Sequence, residues 1–401
     1  MKKVIFILSI GVVLVLDSYV SKAQQSTASS SVETKKPNSD YKPAFEGQTR
    51  IQAVTTKTPY EWKALTASLR LPWGIASLPD GRFIITEKAG AIKIVSTSGT
   101  VGEPISGVPK VSSQGQGGLL GICLDPAFNN NRMVYWAFSE PLNDGNVTSV
   151  AKGKLSADEK TLENVKVIYR ATPVFNGTLH FGGRVLFSKD GNLFLSTGER
   201  SDIETRPQAQ DLNSGLGKII RITVDGKPAS GNPFATKARP ELYSYGHRNV
   251  QGIAFHPVTG DLWETEFGPR GGDEINRVEP GKNYGWPTIT YGIEYRGDKI
   301  GDAIQQKEGL EQPVYYWDPV ISPSGITFYD GTGIAEWKNN LFIAALSGMH
   351  ICRVVIEKNK VTGEERLLSE EKQRFRDITQ GTDGALYAIT DQGRLYRIGK
   401  K

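Results

Sequence analysis

The chain has 401 residues, 38% of them hydrophobic and 23% charged, with 44 Gly and 21 Pro, an ordinary globular composition long enough for a large core. Its 48 basic residues exceed the 43 acidic ones only slightly, and no basic run lies beyond the extreme N-terminus, which excludes nucleic acid as the expected partner. The small excess is compatible with an anionic cofactor in a locally positive pocket. Zinc is not expected, since the sequence has neither a CxxC pair nor a His/Cys cluster.

In chain order, Lys2 and Lys3 precede an apolar run over 4–16, and Ser21 and Ala23 occupy the small-residue positions of a cleavage site. This predicts a signal peptide over 1–23 and a periplasmic or secreted protein. The run is too short to span a bilayer comfortably, and no Cys follows it to carry a lipid, so no stable membrane insertion is expected after its removal. Residues 24–59, rich in Ser, Thr, Lys and Pro, read as a disordered lead-in. The ordered domain is expected over 60–401, beginning with an amphipathic stretch at 60–69.

From there the chain repeats itself. Gly74-Ile75-Ala76 leads through Asp80-Gly81 to Phe83-Ile84-Ile85 and Glu87, and Gly121-Ile122-Cys123 leads through Asp125-Pro126 to Val134-Tyr135-Trp136. Gly183-Arg184-Val185 leads through Asp190-Gly191 to Leu193-Phe194-Leu195 and Glu199. Gly252-Ile253-Ala254 leads to Leu262-Trp263 and Glu266, and Gly325-Ile326-Thr327 leads to Leu341-Phe342-Ile343. Asp377-Ile378-Thr379 leads through Asp383-Gly384 to Leu386-Tyr387-Ala388 and Asp391. Each unit is an apolar strand, a turn, often Asp-Gly because Gly adopts positive φ cheaply, and a second apolar strand. Six such units predict an all-β, six-bladed β-propeller, in which radial closure protects most strand edges. Cys123 and Cys352 lie far apart in apolar strands and are expected to be separate buried thiols.

Five polar clusters flank the repeated strands. Gln116 sits in a Gly-rich entry to the second unit, suited to close backbone approach, although such an entry also serves as a plain turn. His180 precedes the third unit between polar and Gly residues, where a base would face the channel, and Glu199 at the end of the same hairpin is suited to fix its tautomer. Arg248, within Gly-His-Arg-Asn-Val-Gln-Gly, offers a rigid fork for a carboxylate, either a ligand's or a neighbouring blade's. The run 266–274 followed by Asn-Tyr-Gly-Trp-Pro (283–287) interleaves carboxylates with Gly and Pro, as calcium requires, without EF-hand spacing. Arg374 and Arg376 share a strand face and want an anionic partner, or else form a solvated edge.

Taken in order, the runs at 115–121, 246–252, Asp-Glu-Ile-Asn (273–276) and 283–287 resemble the soluble quinoprotein glucose and sorbosone dehydrogenase family, most closely its bacterial aldose sugar dehydrogenase branch, over roughly 71–398. The resemblance implies an oxidoreductase that uses pyrroloquinoline quinone (PQQ) and Ca2+ to oxidise an aldose sugar at the anomeric carbon. It makes His180 the general base, with Glu199 and Arg248 beside it. It places Gln116, Arg248, Asn249, Trp317, Arg374 and Arg376 on the cofactor or substrate, with Thr290 and Tyr295 at further cofactor-side positions. It assigns the backbone carbonyls of Gly268 and Pro269 to the cofactor calcium, and Glu274 with the carbonyl of Tyr284 to a second, structural calcium. An unidentified periplasmic electron acceptor and a monomer or homodimer complete the expectation.

Two residues depart from the family pattern: Glu199 stands where the glucose-oxidising members have Asp, and Ser347 where they carry a cofactor-side Lys. A calcium-dependent propeller hydrolase of lactonase type and a non-catalytic recognition propeller are the competing readings. The paired arginines have no obvious use in the first, and the complete His, Arg, Asn and calcium set argues against the second.

Overall fold

The repeated segments form the innermost strands of six antiparallel sheets in a computed structural model that describes residues 30–401. These strands are Pro72–Ser77, Leu119–Leu124, Val185–Phe187, Val250–Phe255, Pro323–Phe328 and Phe375–Gln380, and they define blades 1 to 6. Each packs against the next, and the sixth packs against the first, so the ring is closed as a six-bladed β-propeller. Blade 1 has three strands and the others four. Trp136, Trp263 and Trp337 are fully buried in the apolar layers between successive blades.

The recurring glycine of the repeat has a steric origin. A Cβ on Gly121 would lie 2.6 Å from the carbonyl oxygen of Gly183 on the next inner strand, and one on Gly74 would lie 2.9 Å from that of Leu120. Neighbouring backbones converge at the axis, leaving no room for a side chain there.

The channel is keyed by a buried ion pair. Arg184 Nη1 lies 2.5 Å from Asp377 Oδ2, while its Nε donates to the Gln251 carbonyl at 2.5 Å and its Nη2 to that of Arg376 at 3.2 Å. The guanidinium sits 4.2 Å from the centroid of the Trp73 ring, and Asp377 also accepts the Ile75 N–H. One pair thus ties blades 1, 3, 4 and 6.

Blade 6 takes its outer strand from the other end of the chain: Tyr60–Thr66 pairs with Leu395–Lys400, Tyr60 opposite Lys400 and Trp62 opposite Ile398. The amphipathic stretch is therefore the closing strand.

The lead-in departs from expectation. The expected signal peptide (1–23) and residues 24–29 lie outside the described residues, but 30–59 are docked, not disordered. Asp318 accepts the backbone N–H groups of Asn38 and Ser39 and the side chains of both, and Arg50 donates to the Asp318 carbonyl at 2.7 Å. Gln48 is fully buried, and Ala53 bridges Glu364 on the edge of blade 5. Composition misled because this segment is fastened by hydrogen bonds to the propeller, which apolar content does not count. Cys123, half-buried, and Cys352, buried, are both free, as expected. Among the described residues no helix is long and apolar enough to cross a membrane.

Candidate active site

A cavity of about 430 Å³ opens at one end of the channel. Its walls are the loop before the blade 2 inner strand (Gly115, Gln116), the loop after Leu262–Glu266 (Phe267 to Pro269) and the entry to blade 6. Arg374 precedes the strand Phe375–Gln380 and Arg376 lies on it, with a register shift after Phe375. Both guanidiniums still reach one carboxylate: Nε of Arg374 lies 3.0 Å from Asp391 Oδ2, and Nε of Arg376 2.9 Å from Oδ1.

A third cation, Lys88, lines the same wall, donating to the Gly115 carbonyl at 2.6 Å without an ion pair among the described residues. Burial first, then the Arg376 charge, holds its pKa below the usual lysine range. Sequence reasoning missed Lys88, since a turn lysine of blade 1 gives no local sign of facing blade 6. Ser347, at the departure noted above, meets Ser322 at 2.7 Å instead of presenting a charge. Asp273, also missed, is buried and accepts the N–H groups of Gly268, Ile321 and Ser322 at 2.7–2.8 Å, clipping the 267–269 loop to the opposite wall. Burial raises its pKa to about 7 against those bonds.

His180 joins the cavity through Gln116, whose side-chain oxygen accepts the His180 N–H at 2.9 Å. The imidazole is 3% exposed, and its Nδ1 lies 2.5 Å from Glu199 Oε1. With Nδ1–H donating to a carboxylate, the lone pair is on Nε2, and no described residue hydrogen-bonds to Nε2. Burial lowers the pKa to about 4, and the Arg248 and Arg200 charges add to this while Glu199 opposes it. The ring is therefore neutral at pH 7, as a base must be.

Arg248 is buried alongside. It donates through Nη1 to the carbonyls of Phe267 (3.0 Å) and Gly268 (2.8 Å), with its Nη2 3.4 Å from the Tyr295 hydroxyl. Asn249 is fully buried, and its side-chain oxygen accepts the Gly182 N–H. Three buried polar atoms in this cluster have no partner: Glu199 Oε2, Arg248 Nε and Asn249 Nδ2. Buried polar groups are almost always paired, so these three, among thirteen such atoms in the described residues, are free to meet a bound group.

A second constellation lies behind the 267–269 loop. One ligand atom each from His247, Glu264 and Glu266 fall within 4.8 Å of one another, and Asn276 Nδ2 links Glu264 (2.6 Å) to Glu274 (3.1 Å). Burial, then the nearby Glu266 charge, raises the pKa of both Glu264 and Glu274. Glu264 Oε2 is a further orphan. Three buried carboxylates crowded this way repel one another unless a proton or a cation lies between them; their oxygens are hard donors, whereas the His247 nitrogen is not. Glu274 and Tyr284 border the small void here, while His247, Glu264 and Glu266 were missed as a group. The signal was present in the i, i+2 spacing of Glu264 and Glu266, which puts both on one strand face.

Two of the expected cofactor-side residues stand apart from the large cavity. Thr290 borders this second void and does not line the large cavity. Trp317 is 2% exposed in the core between blades 4 and 5, with its indole N–H bonded to Glu364 at 3.1 Å. Its strand, Tyr315–Trp317, is the outermost of blade 4, and Trp317 stands opposite Asp273, which does line the cavity. Gln116, Tyr295, Gly268, Pro269, Arg374 and Arg376 all line the large cavity.

Comparison with known proteins agrees with this geometry. The family profile described as Glucose / Sorbosone dehydrogenase matches residues 69–397. The aldose sugar dehydrogenase YliI of Escherichia coli strain K12 is 40% identical over 346 residues, covering 84% of this chain and 92% of its own. The crystal structure of the soluble aldose sugar dehydrogenase from Escherichia coli in its apo form superposes with a TM-score of 0.82 at 39% identity, covering 85% of this chain and all of that one. The PQQ-bound aldose sugar dehydrogenase from Streptomyces coelicolor gives 0.71 at 30% identity, covering 86% and 99%.

Proposed function

The chain belongs to the glucose/sorbosone dehydrogenase family, and on that premise we propose that it oxidises aldose sugars at the anomeric carbon to lactones, with PQQ and calcium as cofactors and His180 as general base. The observation that carries the reading is a buried, neutral imidazole with a free Nε2, set beside a cavity walled by three cations.

When bound, the quinone supplies a two-electron acceptor and calcium supplies Lewis-acid polarisation of it. Lys88, Arg374 and Arg376 would hold its carboxylates, with Gln116 alongside, and the carbonyls of Gly268 and Pro269 would hold the calcium. Asp391 spaces the two arginines so that neither is repelled from the wall in the free protein. His180 Nε2 takes the proton of the anomeric hydroxyl as the C1 hydrogen departs with its electron pair. Glu199 then faces the imidazolium across the Nδ1 contact and stabilises its charge. In the second constellation, Glu274 and the Tyr284 carbonyl, joined by Glu264 and Glu266, would hold a structural calcium. A leader over 1–23 places the enzyme in the periplasm or outside the cell, where an electron carrier reoxidises it.

The test is reconstitution of the purified protein with PQQ and calcium, reading dye reduction with glucose and other aldoses. Turnover is expected only with both cofactors present, and Arg376→Ala should weaken quinone affinity at least ~10-fold, the worth of one charge-assisted contact. Calcium binding without quinone binding would sink the reading.

Two further outcomes follow. A base works only when unprotonated, so kcat/KM should hold from neutral pH down to near pH 4 and fall below it, following the lowered His180 pKa. An acid limb at about pH 6.5, the unperturbed imidazole value, would mean the imidazole is not desolvated as the structure has it. Chelation should lower the unfolding temperature, because Glu264, Glu266 and Glu274 then face one another without a cation, and added calcium should restore it. An unfolding temperature insensitive to chelator would remove the structural calcium.

A further inference from the structure

The hairpin end that supplies Glu199 continues into Arg200, a residue the proposed chemistry does not use. Its guanidinium is 2% exposed and has no ion pair among the described residues. Instead, Nε donates to the Leu179 carbonyl at 3.1 Å, Nη1 to the Asn146 carbonyl at 3.3 Å, and Nη2 to Asn146 Oδ1 at 2.6 Å and the Gly177 carbonyl at 2.7 Å. The same group lies 3.9 Å from the Phe181 ring centroid and 5.8 Å from that of Phe175, and the Arg200 N–H donates to the His180 carbonyl at 3.3 Å. Arg200 therefore grips the chain on both sides of His180 and beneath it.

The backbone here needs gripping. His180, Arg200 and Ser201 have φ of 46°, 75° and 59°, left-handed values that cost non-glycine residues about 1–3 kcal/mol each and persist only where surroundings over-determine them. Burying a cation without a carboxylate partner is itself unfavourable, and burial lowers the Arg200 pKa to about 10. A side chain needed only to fill space would be apolar; this one selects four oxygens of the segment leading to the base and of its neighbour Asn146.

We propose that Arg200 is a positioning residue for the base, a cationic clamp on the 175–181 loop that holds the His180 imidazole against Glu199 with Nε2 free. The kinetic part of the test rests on the dehydrogenase reading; the spectroscopic part does not.

The variants are Arg200→Met, Arg200→Lys and Asn146→Ala, each in the full chain. In quinone-free protein, NMR titration of the ring nitrogens reports His180 directly, with Glu199, Arg248 and Arg200 as the charged groups that face it. Arg200→Met should move the His180 midpoint upward from about 4, since one opposing cation is gone, and should broaden or lose the Nδ1–H proton resonance. Arg200→Lys should return the midpoint toward the wild-type value without restoring that resonance, because an ammonium cannot reproduce the fork. In reconstituted enzyme, kcat should fall by up to ~100-fold in Arg200→Met, the scale of a misplaced catalytic group, with the quinone Kd unchanged. Asn146→Ala, which removes one acceptor, should shift both readouts in the same sense and less far, and it serves if Arg200→Met does not fold.

An unchanged midpoint and Nδ1–H resonance would overturn the clamp, as would kcat and quinone affinity falling together. A wild-type protein without quinone-dependent turnover would overturn the dehydrogenase reading, and the titration alone would then decide the role of Arg200.

Discussion

Replacing His180 with Ala is expected to cut turnover by ~10²–10⁴-fold, the range a positioned general base supplies, while the protein still folds and binds calcium. The structure offers no substitute at that position. Arg248 and Arg200 are cations, Asn249 is committed to the Gly182 N–H, and Glu199 touches the ring on the side away from Nε2. Removing the ring also leaves the Glu199 carboxylate buried without its partner, so His180→Gln, whose amide N–H can still reach Glu199, is the companion variant. Both should be inactive, with Gln the more stable of the two by thermal unfolding. Residual turnover within about tenfold of wild type in single-turnover experiments would remove His180 from the base role, since it would lie below the smallest effect expected.

The second large effect concerns stability. Arg184→Met should cost about 3–5 kcal/mol in chemical denaturation, the penalty for breaking a buried pair by removing one partner. The loss comes chiefly from Asp377, left buried with only the Ile75 and Ile378 N–H groups for company, so that it must either carry an unpaired charge or take up a proton. Asp377→Asn added to Arg184→Met should recover part of it, because the stranded charge is then gone. A single-variant cost under about 1 kcal/mol would mean that the pair does not tie the ring together. The Arg184 fork also holds the Arg376 carbonyl, so the same variant should loosen one of the cavity's three cations.

Most of the fold was legible because its demands are periodic. The glycine of the first five units answers a steric requirement that recurs where inner strands converge, and an Asp-Gly turn accompanies three of the six units. The carboxylates that end the repeats were visible too, and the structure gives each a basic or N–H partner: Glu87 takes the Arg70 N–H, Glu199 meets His180, Glu266 takes the Arg248 N–H and Asp391 meets both cavity arginines. Those partners were harder to read, because they depend on which neighbouring blade leans over the axis. Lys88 and Arg376 share a wall although they come from blades 1 and 6, adjacent only after closure. Trp317 was harder still to place: an aromatic on a short strand faces a core or a cavity with equal ease, and here the ring lies in the core between blades 4 and 5 with its indole N–H on Glu364. The docked lead-in escaped notice because hydrogen bonds from polar residues leave no hydrophobic pattern to follow.

The pairing of Tyr60–Thr66 with Leu395–Lys400 makes the propeller a belt whose buckle is formed by its two ends. Tyr60–Thr66 waits, unpaired, until Leu395–Lys400 has been made, so the order of assembly of this blade cannot follow the order of synthesis. Loss of the final six residues would not trim the molecule but unfasten it, exposing the edge of Leu386–Thr390 and orphaning the first strand at once. A tag fused after residue 401 would hang from the clasp itself.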